Sequence, residues 1–177
     1  MIIGYELNGI DNHSYFFDDA PNNIFCNICG NCIDRKYYPK NFKIKNKSDF
    51  SFSYDGGLPI ISSKFKEFLE KELLDIDFLD LNEDKSLFLL SPRNHLPYKA
   101  QQKDNFCNKC QQYFDVIAPI HLFQNHIEDG FFRSDLDFGS GKAKSPIIII
   151  GTNTAKILNK AKKEYKFRGL EILPIEN

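Results

Sequence analysis

Residues 58–71 read Leu58-Pro-Ile-Ile-Ser-Ser-Lys-Phe-Lys-Glu-Phe-Leu-Glu-Lys71, and this stretch decides the fold class. A turn signal, Asp55-Gly56-Gly57, stands before it. Leu58–Ile61 is a short apolar run and predicts a strand. Ser62 or Ser63 can cap the helix that follows, because a serine oxygen accepts amides left free in the first turn. Phe65, Phe68, Leu69, Leu73 and Leu74 recur at helical spacing and give one apolar face. Ile76–Leu81 roughly alternates and predicts a second strand. After the turn at 82–85, Ser86–Leu90 predicts a third.

The C-terminal part has the same plan. Ser145-Pro146 precedes Ile147–Ile150, a run that predicts a strand buried on both faces. A plausible cap in Gly151-Thr152-Asn153-Thr154 opens a helix over Ala155–Lys163, and Gly169–Ile175 returns as a strand. Residues 1–7 predict one more. The expected class is α+β, mostly sheet with two main helices, built from repeated strand–helix–strand units. The repetition reflects either a duplication or the pattern that any such unit requires. Residues 91–144 are assigned no regular element. At 177 residues the chain is expected to form a single domain, 1–177.

Hydrophobic residues make up 42% and charged residues 27%, enough apolar material for a packed core. With 17 Phe, 8 Tyr and no Trp, that core must be built from phenylalanine. The net charge of −1 argues against a phosphate-binding footprint, so nucleic acid is an unlikely partner. The longest apolar run, Pro146–Ile150, is too short to span a bilayer. The opening residues lack a basic segment followed by an apolar one, so the expected location is cytoplasmic.

Cys26-Asn-Ile-Cys29-Gly30 is the strongest local signal, and Cys107-Asn-Lys-Cys110 repeats its spacing. Two cysteines three apart on a tight turn present both thiolates to one ion, and two such pairs complete a tetrahedral shell. Cys26, Cys29, Cys107 and Cys110 are therefore the expected ligands of one structural zinc ion. About 24–47 and 100–118 would form a zinc-bound sub-lobe. A closed four-thiolate shell leaves no position for substrate, and no catalytic residue is assigned: the expectation is a protein that is not an enzyme. The alternatives are a redox pair, which would need a helix after the first cysteine, and ordinary core cysteines. Cys32 could join a metal site, but a small core residue is the simpler account.

Other features have plainer readings. His121 and His126 lie five apart and cannot share a helical face, and His95 sits in a loop. Gly139-Ser-Gly-Lys142 is close to a phosphate-binding loop, but Leu136 and Ala143 break the motif. Asp75, Asp77 and Asp80 fit a solvated strand face. Phe131-Phe132-Arg133-Ser134 could anchor an interface, although core packing accounts for at least one phenylalanine. Lys36, Lys40, Lys43, Lys45 and Lys47 interleave with Tyr37, Tyr38 and Phe42. That pattern suits either a solvated loop or a zinc-ribbon module holding single-stranded nucleic acid.

On its two cysteine pairs, with residues 59–71 and Gly169–Ile175, the chain resembles the bacterial double-CxxCG motif proteins. More loosely, it resembles the immunity proteins of polymorphic-toxin and contact-dependent inhibition systems. Gln111 stands where the motif has its second glycine. The resemblance implies an intracellular binding protein whose partner is another protein, such as a cognate toxin blocked at its active site or a regulatory face. Such work needs complementary shape and charge rather than catalytic groups.

Overall fold

The computed structural model describes residues 1–72 and 75–177. Its elements are β1 (Ile2–Asp11), β2 (Phe50–Phe52), β3 (Ile60–Ser62), α1 (Ser63–Glu72), β4 (Ile76–Asp80), β5 (Leu87–Pro92) and β6 (Asn94–Leu96). Then come β7 (Tyr98–Cys107), β8 (Gln112–His121), β9 (Phe131–Ser140), β10 (Ala143–Ile150), α2 (Thr152–Glu164) and β11 (Leu170–Glu176). Among the described residues the protein is mostly sheet with two α-helices, as the α+β expectation required. Leu73 and Leu74, expected on the first helix, lie outside the described residues.

All these strands join one sheet, in the order β4-β5-β3-β2-β1-β10-β9-β8-β7, with β11 pairing β1 and β6 pairing β9. Neither strand–helix–strand unit closes on itself. β3 and β4 both run antiparallel to β5, which lies between them. β10 and β11 both run antiparallel to β1, which lies between them. Each helix thus connects two strands that a third separates.

The side-chain period of two sends alternate residues of the central strands to opposite faces. On one face Phe88, Leu90, Ile148 and Ile150 meet Phe65, Phe68 and Leu69 of α1 and Ala155, Leu158 and Ala161 of α2. On the other, Ile60, Leu87 and Leu89 meet Phe16, Phe17, Ile24 and Phe42 from the irregular segment 12–49. Ile149 packs with Tyr98 and Ile127 in a third cluster. Burial on both faces is why these strands read as continuous apolar runs. Each fully buried large side chain contributes about 1.5–3 kcal/mol.

Both helix starts are satisfied by side chains, one as expected and one not. Ser62 Oγ accepts the Phe65 amide at 3.2 Å and donates to Asp49 Oδ1 at 2.8 Å. At α2 the cap residue is Gly151, which supplies no side chain. Asp129, from the loop between β8 and β9, accepts the Asn153 amide at 3.1 Å instead, and Thr154 Oγ1 accepts the Gly130 amide at 2.8 Å.

Residues 91–144 carry four strands that pattern reading did not assign. β7 and β8 form a long hairpin joined by Asn108–Gln111. Only Tyr98, Ala100 and Cys107 of β7 are buried, and β8 meets β9 only at Asp115 and Val116. The hairpin is an arm, largely solvated on both faces. No helix among the described residues is long and apolar enough to cross a membrane.

Candidate metal centre

The arm carries Cys107 and Cys110 at its tip and brings them onto the Cys26–Cys29 turn. Cys26 Sγ lies 3.8 Å from Cys107 Sγ, and Cys29 Sγ lies 3.6 Å from Cys110 Sγ. All four sulfurs fall within 4.8 Å of one another. Sulfurs bound at about 2.3 Å to one ion in a tetrahedron lie roughly 3.8 Å apart, so the cluster has the dimensions of a four-thiolate metal site. A disulfide needs about 2.05 Å, and all five cysteines are free thiols. Neither pair opens a helix, so the arrangement is not that of a thioredoxin-like redox pair.

The two turns have the same backbone. The amide of Gly30 donates to the Cys26 carbonyl at 2.8 Å, and that of Gln111 to the Cys107 carbonyl at 2.8 Å. Phe25 bridges Cys32 as Phe106 pairs with Tyr113. Gly30 has φ of 76° and Gln111 of 57°. Gly30 and Gln111 therefore occupy one left-handed position, free of strain for the first and strained for the second. Gln111 offsets part of that cost by donating from Nε2 to the Asn108 carbonyl at 2.7 Å.

Within each turn, backbone amides point at the first cysteine. The amides of Cys29 and Ile28 pull the Cys26 thiol down to about 6. The amide of Cys110, with that of Lys109, lowers Cys107. Cys29 is pushed up to about 12, first by burial and then by the neighbouring thiols. Four sulfurs at this spacing do not all ionise unaided, because each thiolate opposes the next; a divalent cation removes that conflict.

Two further residues brace the cluster. Asn31 is fully buried; its Nδ2 donates to the Tyr113 carbonyl at 3.3 Å and approaches Cys110 Sγ at 3.9 Å. Lys144, from β10, donates to Asn31 Oδ1 at 3.1 Å and also bonds the Tyr113 carbonyl. Burial, and then Arg35 nearby, lowers the Lys144 pKa. These contacts tie the first turn, the arm and the sheet together behind the sulfurs, as outer partners of a metal site do. Spacing alone pointed to neither residue. The available signal was a self-similarity: Phe25-Cys-Asn-Ile-Cys-Gly-Asn-Cys32 aligns with Phe106-Cys-Asn-Lys-Cys-Gln-Gln-Tyr113 and places Asn31 after the turn.

The other candidates stay apart. His121 stacks on Phe123 with ring centroids 4.7 Å apart, His126 lies 3.4 Å from Thr152 Oγ1, and neither joins the cluster. Asp77 is held below its usual range by the hydrogen bond from Arg93, and Asp80 pairs with Lys85 at 3.5 Å. Gly139-Ser-Gly-Lys142 is the end of β9 and the two-residue turn into β10. Phe131 is core, and Arg133 pairs with Asp137. Tyr37, Tyr38 and Phe42 pack into the cluster beneath segment 12–49. Cys32 is partly buried in that same cluster. No protein-family model, curated protein or solved structure matches the chain.

Proposed function

We propose that this chain is a zinc-stabilised protein-binding protein. Cys26, Cys29, Cys107 and Cys110 hold one structural zinc ion within a sub-lobe formed by about 24–47 and 100–118. The observation that carries this is the convergence of four sulfurs, from turns 81 residues apart, to tetrahedral spacing. Among metals, a four-thiolate set favours zinc over the hard cations, which prefer oxygen. Such a site is filled by protein ligands and supports binding rather than catalysis.

The partner we propose is a protein, with a cognate toxin neutralised in the cytoplasm as the specific case. Its support is the double-CxxC arrangement together with the arm, which displays Phe106, Tyr113, Ile117 and Ile120 to solvent. Exposed aromatic side chains are what interfaces use as anchors. The nucleic-acid alternative keeps one observation in its favour, the row Lys156, Lys160 and Lys163 exposed along α2.

Elemental analysis of the purified protein tests the metal. One zinc per chain is expected, lost in Cys29→Ser and retained in Cys32→Ser; equal loss in both would refute the ligand assignment. Growth of cells co-expressing the chain with a toxin encoded beside it tests the partner. Rescue is expected with the native chain and not with Phe106→Asp, while Lys156→Glu leaves rescue intact.

A further inference from the structure

A second site lies beside the cysteine cluster, between segment 12–49 and the sheet. It is a cavity of about 460 Å³, within the usual range for small-molecule sites. Its body is apolar and aromatic: Phe16, Phe17 and Tyr37 from the segment face Leu58 and Leu89 from the sheet side. Phe17 and Tyr37 stack on each other, ring centroids 6.1 Å apart and planes 24° apart, and together form one continuous wall of the cavity. Such surfaces accept a flat hydrocarbon or aromatic ring.

The polar groups around this body are mostly of one sign. Five cations line the cavity: Arg35, Lys36, Arg133, Lys142 and Lys144. The acids are two, Asp34 and Asp137, so the lining carries three positive charges in excess (five minus two). Asp137 is shared by both arginines: Arg35 Nη1 reaches its Oδ2 at 2.5 Å and Arg133 Nη2 its Oδ1 at 2.8 Å. One carboxylate between two guanidiniums leaves net positive charge. Arg133 Nε is buried and makes no hydrogen bond. Arg35, more than half exposed, keeps guanidinium N–H groups beyond the one that Asp137 takes, and such an edge is suited to a carboxylate or phosphate oxygen.

We propose that this cavity binds a small anionic ligand with a flat aromatic body, its carboxylate or phosphate head held by Arg133 and Arg35 and its ring against Phe17 and Tyr37. The site does not depend on the identity of the toxin or of any protein partner. It does adjoin the metal centre, because Lys144 belongs to both.

The test uses the metal-loaded full chain and two fluorescent probes, the anionic anilinonaphthalene sulfonate and its uncharged counterpart phenylnaphthylamine. Saturable one-site binding of the anion is expected, much tighter than that of the neutral probe. Arg133→Met should weaken the anion roughly tenfold, the scale of one charge-assisted hydrogen bond, and leave the neutral probe unchanged. Leu58→Trp, which fills the cavity and keeps its charges, should abolish both; retained zinc in each variant shows that the centre is intact. Competition by naphthyl phosphate and naphthoate separates the two head groups, and inorganic phosphate alone should not displace the probe. Equal affinity for both probes, unchanged anion binding in Arg133→Met, or displacement by inorganic phosphate would overturn the proposal.

Discussion

The body of the sheet and its β7–β8 edge are held by different means. Around β3, β5, β1 and β10, both faces are covered, and Ile61, Leu90, Ile149 and Ile150 are fully buried. At the β7–β8 arm, hydrogen bonds pair two strands over ten residues each, yet most side chains face water. A two-stranded hairpin exposed on both faces is marginal by itself. The first region rests on hydrophobic burial. The second rests on what fixes its tip: the four sulfurs, Asn31 and Lys144.

Metal removal should separate the regions most sharply. With a chelator present, hydrogen exchange of β7 and β8 amides is expected to rise by orders of magnitude, while β3, β5 and β10 stay protected. Uniform loss of protection would mean that the regions form one cooperative unit. Phe65→Ala is the converse experiment. Phe65 is fully buried between α1 and the sheet, so truncation should cost about 3–5 kcal/mol in denaturant unfolding. Zinc stoichiometry should not change.

The two knuckles allow a finer comparison. Gly30 has open space around a built side chain, so Gly30→Ala should cost only the left-handed strain, about 1 kcal/mol. Gln111→Gly should relieve that strain but lose the Asn108 hydrogen bond, for a net gain of about 0.5 kcal/mol. A change of the same sign at both positions, read from thermal unfolding, would show that the turns are not equivalent.

The smallest effect belongs to α2. The Asn153 side chain, with the Asn153 and Thr154 amides, lowers the Asp129 pKa. A carboxylate lowered in the folded state contributes its stabilisation above its ordinary value, about 4. That contribution is lost as pH falls through the depressed value. Exchange protection of the first turn of α2 should therefore drop on acidification from pH 5 towards 3. In Asp129→Asn it should start lower and vary little over that range.

Local pattern sufficed for β1, β3, β4, β5, β10, β11, α1 and α2, because each carries an apolar period that one chain segment displays unaided. Ser62 was legible as a cap for the same reason. The four cysteines were legible as a set because thiolate spacing is a local chemical requirement. Their closure across residues 30–106 followed from the thiolate count, but the means, the tip of the β7–β8 arm, did not, since it depends on where β7 ends. Strands β7 and β8 escaped pattern reading because a strand solvated on both sides shows no alternation. The cap of α2 falls at Gly151, within the stretch read as capping, but the side-chain acceptor, Asp129, was not legible because it comes from 24 residues upstream.

The sequence by itself determined the class of fold, the two helices, the phenylalanine core and the cysteine set. Tertiary structure alone decided strand order, the antiparallel strands placed inside each strand–helix–strand unit, the equivalence of Gly30 and Gln111, and the second layer of Asn31 and Lys144. The division has one physical cause. Helical and strand periods, caps and thiolate pairs are properties of a few consecutive residues. Pairing across a sheet and the means by which a four-sulfur cluster closes are set by long-range geometry, which no window of sequence contains.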